Sequence, residues 1–181
     1  VKPGDSVLII GAGTIGCVTL LAARAYGAEQ IIVSDVVPER LERAMSLGAT
    51  SVVDGATESL SERVSETTEG RGVDVGFECS GAIPAPMMLL DAATAGGRIV
   101  LIGMGNQPVE IDTVTAMVKE VDIRTVFRYT NAFPRAIEMA ANDLINVSSL
   151  VTDRYSFDNG VDAFDYARNL RPETCKVMIN F

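Results

Sequence analysis

The sequence predicts an α/β fold, a doubly wound six-stranded parallel sheet in the order 3-2-1-4-5-6, followed by a C-terminal tail of different character. Three observations lead there. Short apolar runs rich in Val and Ile alternate with amphipathic stretches as far as about residue 130. A glycine-rich turn, Gly11-Ala12-Gly13-Thr14-Ile15-Gly16, follows the first of these runs. An acid, Asp35, closes the second run about 20 residues beyond the turn.

Each element has its own local reason. Val7-Leu8-Ile9-Ile10 is continuously apolar, as a strand covered on both faces must be. The glycines after it allow a sharp turn and leave bare backbone toward any ligand, and Gly16 lets the next helix, Cys17 to Tyr26, pack close to the first strand. Gln30-Ile31-Ile32-Val33 is the second strand. Pro38 to Leu47 carries a helical apolar stripe that stops at Gly48 in a left-handed cap. Ser51-Val52-Val53 is a third strand. Glu58 to Thr68 is a polar helix with Leu60 and Val64 facing inward, and Gly70-Arg71-Gly72 turns the chain. Val73 to Glu78 is the fourth strand, leading to Cys79-Ser80-Gly81, and Pro86 to Ala93 is the next helix. Gly96-Gly97 reverses the chain into a fifth strand, Arg98 to Ile102, which ends at Gly103-Met104-Gly105. Val114 to Lys119 is a short helix and Ile123 to Phe127 the sixth strand. Beyond residue 130, Asn131 is placed to cap a helix from Phe133 to about Ala141. The segments Leu144 to Leu150 and Val151 to Phe157, a helix from Asn159 to Arg168 and a strand from Cys175 to Ile179 then follow. The expected division is residues 1–141 for the sheet domain and 142–181 for the tail.

In such a sheet the ligand crevice lies where the strand order reverses, at the carboxyl ends of strands 1 and 4. The helix after the glycine turn points unpaired N–H groups and the positive end of its dipole into that crevice, and pyrophosphate is the natural occupant. This is the pattern of a Rossmann dinucleotide site; the alternative is a tight strand-to-helix turn without ligand. A carboxylate at Asp35 accepts hydrogen bonds from the adenosine ribose hydroxyls and repels a 2′-phosphate, which favours NAD over NADP. Its other reading is a cap ahead of the Pro38 helix. Arg40, close by, could tolerate a phosphate; with Asp35 intact the balance stays with NAD. Ser80, Gly81, Gly103, Met104 and Gly105 end their strands on the same edge. Their glycines suit the close approach of a flat ring, although structural turns also use glycine.

Composition narrows the function. The 181 residues are 48% hydrophobic and 22% charged, which is ordinary for a cored globular domain. No apolar run nears the roughly 18 to 20 residues of a membrane span, and no basic stretch leads into a short apolar signal core, so a cytoplasmic location and no membrane partner are expected. A net charge of −9 argues against nucleic acid. The cysteines Cys17, Cys79 and Cys175 read as buried thiols. Without a C-x-x-C pair or a single histidine, the usual Cys/His zinc site and Ser-His-Asp chemistry are both out of reach. The chain starts Val1-Lys2-Pro3-Gly4-Asp5 and runs straight into the first strand, as expected of a piece of a longer polypeptide.

Pro3-Gly4-Asp5, the glycine turn, Ser34-Asp35, Glu78-Cys79-Ser80-Gly81 and above all Val126-Phe127-Arg128-Tyr129-Thr130-Asn131 resemble the C-terminal half of the medium-chain, zinc-dependent polyol dehydrogenases, the sorbitol and xylitol dehydrogenases. The resemblance spans essentially the whole chain. The glycine motif is shared by many cofactor domains, whereas the Phe-Arg-Tyr segment followed by an asparagine is characteristic of the polyol branch. Threonine dehydrogenase and other medium-chain alcohol dehydrogenases are the alternatives within the resemblance. The resemblance implies NAD as cofactor and a small-molecule polyol as substrate, with hydride taken from a secondary alcohol to give a ketose. It implies that Gly11, Gly13, Thr14, Ile15 and Gly16 form the pyrophosphate turn and that Asp35 and Arg40 hold the ribose. Ser80, Ile102, Gly103 and Met104 would border the nicotinamide half, and Val126, Phe127 and Arg128 would complete its pocket, with Arg128 near the substrate. Read as residues alone, Val126 and Phe127 are sheet core, and Arg128 is equally a solvated strand end. No catalytic residue is expected in the chain, because the family holds its zinc in an N-terminal catalytic domain; zinc would belong to the full-length parent only. The tail would help build that domain and leave apolar surface uncovered from Leu144 to Phe157. The sixth strand is the sheet edge, and the family implies a homodimer through Ile123 to Phe127, the full-length parent being a dimer or tetramer.

Two other readings remain for the residues: a non-catalytic module that senses NAD(H) for a partner, and a flavin-binding Rossmann domain, which usually carries long insertions that this chain lacks.

Overall fold

Strand β1, Ser6–Ile10, is buried at every position because it lies in the middle of the sheet. It pairs in parallel with β2 (Gln30–Asp35) on one side and β4 (Val73–Glu78) on the other. In the computed structural model, which describes residues 1–169 and 171–181, β3 (Ser51–Asp54), β5 (Ala93–Leu101) and β6 (Asp122–Thr125) complete a parallel sheet in the order β3-β2-β1-β4-β5-β6. The expected fold class and strand order both hold.

Alternate residues of β1 serve two apolar layers. Val7 and Ile9 pack with Leu20 of helix α1 (Thr14–Ala25) and Ala44 of α2 (Pro38–Leu47). Leu8 and Ile10 pack on the other face with Leu60 and Val64 of α3 (Leu60–Thr67) and Leu89 of α4 (Ala85–Ala92). Helices on both faces explain why the strand tolerates no polar alternation, and each such side chain contributes about 1.5–3 kcal/mol by leaving water. Gly48 ends α2 with φ 103, as its cap role requires.

Several boundaries differ from expectation. Helix α1 starts at Thr14 rather than Cys17, because Gly13 itself is the N-cap. The Gly96-Gly97 pair does not precede β5 but lies within it. Val73 pairs with Ala93 and Val75 with Arg98, so the chain bulges between those pairs, with Gly96 at φ 72. Strand β6 stops at Thr125 and is exposed throughout. Val126 and Phe127 lie beyond it, 43% and 71% exposed, so they are not sheet core; α5 (Thr113–Val118), which leads into this edge, buries none of its residues. Asn131 does not cap α6 (Phe133–Ala141). The N-cap is Ala132, without a side-chain bond, and Asn131 takes a left-handed turn at φ 56.

The tail forms its own parallel pair, β7 (Val151–Ser156) and β8 (Lys176–Asn180), linked by α7 (Gly160–Arg168). Leu144, Val147 and Phe157 are exposed, in line with the uncovered apolar surface expected there. Leu150 and Cys175 instead join the layer that holds α1. Among the described residues no helix is long and apolar enough to cross a membrane.

Candidate cofactor site

Three glycines in the turn after β1 are glycines for different reasons. Gly11 has φ 98, and a Cβ there would come 2.8 Å from the Ser80 nitrogen. At Gly16 a Cβ would overlap the Gly11 carbonyl, so a bare backbone is what brings α1 against β1. Gly13 is unlike both. Its φ of −69° suits any residue, and a Cβ would meet nothing within 4 Å. Neither backbone nor packing asks for glycine at 13; the space that its side chain would fill is cleft. Around it, no group among the described residues accepts from the N–H of Thr14, Ile15 or Gly16, and the first turn of α1 holds no acid. A cradle of free N–H groups at a helix N-terminus is built for an anion.

Asp35, 9% exposed, closes the far side. Its Oδ2 accepts from the Ala12 N–H at 2.7 Å, and its Oδ1 accepts from the N–H groups of Val36 at 2.8 Å and Val37 at 3.0 Å. It does not cap α2, whose N-cap is Val37. A carboxylate has about four acceptor positions, so Asp35 retains capacity for ligand hydroxyls. The Arg40 guanidinium lies 3.8 Å from Oδ2, and its Nε is buried without a partner among the described residues. On the opposite wall Glu78, 2% exposed, folds the loop after β4. Its Oε1 accepts from Ser80 N–H at 2.7 Å, Ser80 O–H at 2.6 Å and Gly81 N–H at 2.8 Å. Gly103 is confined by the same carboxylate, since a Cβ there would overlap Glu78 Oε2.

These walls enclose a cleft of about 470 Å³ that brings together Gly11, Gly13, Asp35, Arg40 and Ser80 from the sequence-predicted set. Other members lie elsewhere. The Thr14 hydroxyl donates to the Cys175 carbonyl at 2.5 Å, and Ile15 is 48% exposed beside the turn. Gly103 borders a separate cleft of about 110 Å³ with Glu78 and Gly81. Met104 is exposed, and Ile102 packs against the apolar layer of α1. Val126, Phe127 and Arg128 stand away from the main cleft, the Arg128 guanidinium 5.0 Å from the Phe127 ring centre. Sequence reasoning missed the apolar wall of Ala82, Pro84, Ala85 and Met88. The signal for it was topological: the helix after strand 4 must start beside the switch point.

Burial pushes the Cys79 thiol up to about 12, with a bond from Thr19 opposing and Glu78 adding, so it is no thiolate nucleophile. Among the described residues no group of three or more Cys, Asp or Glu could hold a metal.

A doubly wound parallel domain with an anion cradle at its switch point defines the class. The chain belongs to the zinc-binding dehydrogenase family, whose model matches residues 14–142. Among curated relatives, it is 40% identical over 170 residues to a sorbitol dehydrogenase of Mus musculus, covering 93% of this chain and 48% of that protein. It is 40% identical over 168 residues to a D-xylulose reductase of Morganella morganii, covering 92% of this chain and 49% of that protein. The chain thus spans about half the length of the curated relatives that it matches. Among solved structures, an Escherichia coli alcohol dehydrogenase complexed with NADH superposes with a TM-score of 0.90 at 28% identity, over 99% of this chain and 53% of that one. A Sinorhizobium meliloti protein bound to NADP gives 0.91 at 27% identity, over 98% and 53%.

Proposed function

We propose that this chain is the NAD-binding half of a cytoplasmic polyol dehydrogenase that oxidises a secondary alcohol of a sugar alcohol to a ketose. The observation that carries the reading is the cradle at Gly13, an open volume beside the N–H groups of Thr14, Ile15 and Gly16, which have no acceptor among the described residues. These N–H groups hold the pyrophosphate. Asp35 accepts from the adenosine ribose hydroxyls while Arg40 steadies its charge, and Ala82, Pro84, Ala85 and Met88 supply the apolar wall for the adenine. The bound nicotinamide supplies the hydride acceptor. Asp35 sits where a 2′-phosphate would go, which disfavours NADP. The names of the relatives, sorbitol dehydrogenase and D-xylulose reductase, support a polyol substrate. Residues 1–141 form the cofactor domain, and residues 142–181 contribute to a catalytic domain. These residues do not fit a zinc ion, so any catalytic zinc is held outside them. Three free cysteines suit a reducing compartment.

Calorimetric titration with NAD and NADP tests this directly. NAD is expected to bind more tightly. Equal or tighter NADP binding overturns the cofactor preference, and failure of both to bind overturns the reading.

A further inference from the structure

Glu78, at the end of β4, holds the loops that follow two strands at once. Its side-chain Oε1 accepts three bonds from the loop after β4, from the Ser80 N–H at 2.7 Å, the Ser80 O–H at 2.6 Å and the Gly81 N–H at 2.8 Å. Its main-chain carbonyl accepts two from the chain leaving β5, from the N–H groups of Ile102 and Gly103, both at 2.9 Å. The two loops meet backbone to backbone. A Cβ at Gly81 would come 3.0 Å from the Met104 carbonyl, and one at Gly105 would come 2.8 Å from the Gly81 oxygen. Glu78 is 2% exposed, and among the described residues its carboxylate pairs with no cation. A carboxylate buried in that way is costly, whereas a neutral amide is far less so. Three donors on one oxygen, more than the two lone pairs of an amide carbonyl accommodate, are what call for the charge.

We propose that Glu78 is a positioning residue for the nicotinamide half of the cofactor: it sets the gap between the loops after β4 and β5, across which that half is laid. The proposal rests on the dinucleotide reading of the cradle, and the strand order supplies its direction. A dinucleotide with its pyrophosphate at the turn after β1 and its adenosine ribose at Asp35, on the β2 side, carries its other half over the ends of β4 and β5. Those ends are the two loops that Glu78 holds, and the smaller cleft of about 110 Å³, lined by Glu78, Gly81, Gly103 and Gly105, opens between them. The Glu78 side chain makes no hydrogen bond to the pyrophosphate turn or to Asp35. Loosening it therefore acts on one half of the ligand and spares the other.

Calorimetric titration of the wild-type chain and of Glu78→Gln with NAD and with ADP is the test, since ADP carries the adenosine and both phosphates but no nicotinamide half. Glutamine offers two lone pairs to three donors and turns an N–H2 group toward Gly103, so the loops part. NAD affinity should fall about tenfold and ADP affinity less than about twofold. Hydrogen exchange at the Ser80 and Gly81 amides should quicken while that of β1 is unchanged. Glu78→Asp keeps the charge but withdraws it by one methylene; it should give the same split, and it decides the matter if Glu78→Gln does not fold. Equal losses for the two ligands, or unchanged NAD binding, overturn the proposal. A wild-type chain that binds neither ligand overturns instead the dinucleotide reading beneath it.

Discussion

Ala12 donates its backbone N–H to Asp35 Oδ2 at 2.7 Å, so the acid at the end of β2 holds the turn at the end of β1. One carboxylate therefore shapes the cradle and borders the cleft. Replacing it separates the two effects. Asp35→Ala leaves one buried and two part-buried N–H groups without their charged acceptor, and hydrogen bonds to charged groups contribute about 1.5–3 kcal/mol each. Solvent and relaxation recover part of that, so a loss of about 2–3 kcal/mol is expected in urea unfolding. NAD affinity should fall roughly tenfold or more, and NADP affinity less, because the repulsion toward its phosphate disappears. An unchanged NAD-to-NADP ratio in calorimetry contradicts the ribose role of Asp35.

Gly13 and Gly16 should respond oppositely to the same methyl group. Gly13→Ala projects into open cleft at a permitted φ. Stability should stay within about 1 kcal/mol of wild type while dinucleotide binding is lost. Gly16→Ala drives a Cβ into the Gly11 carbonyl, so the helix must shift from the strand at a cost of about 3 kcal/mol or more. Thermal melts and titrations on both variants decide the matter. A Gly13→Ala variant that binds NAD normally removes the cradle from the site.

The parts of this molecule that were legible in sequence are those where burial dictates residue type. β1 could be read because both of its faces are covered, and the glycine turn because Gly11 and Gly16 admit no side chain. The end of β6 was not legible. Ile123 to Phe127 has the apolar content of a buried strand, and whether anything covers it depends on neighbours that the local pattern does not encode. The apolar wall of the cleft was equally silent, since Ala82, Pro84 and Ala85 are small residues whose meaning comes only from sitting beside Gly11 and Asp35. Gly96-Gly97 announced a break in regular structure, but a bulge within β5 and a turn before it use the same residues.

Acid should weaken the fold partly through Asp74. Burial raises its pKa, but the Ser6 N–H and O–H, both donating to Asp74 Oδ2, outweigh it and hold the carboxyl below its usual 3.8. A depressed folded value means that this contribution is fully present above pH 3.8 and is lost as pH falls through the folded pKa. Asp74→Asn should be less stable than wild type at neutral pH, with the gap narrowing on the acid side. Urea midpoints measured across that range check this, and a gap independent of pH counts against it.

The exposed edge of the sheet is a second apolar surface, besides that of the tail, that solvent should not keep. β6 presents unpaired backbone groups, Ile123 is 40% exposed, and Phe127 stands just past the strand at 71%. Met117 and Val118 of α5 extend the apolar area, at 69% and 78% exposed. A second copy related by a twofold axis can pair β6 with its own β6 and cover these side chains at once. The expected state at micromolar concentration is a dimer. Ile123→Lys and Phe127→Asp each place like charges near the axis, so both should yield monomers with unaltered circular dichroism. Light scattering that finds the wild-type chain monomeric, or either variant still dimeric, assigns β6 a different role.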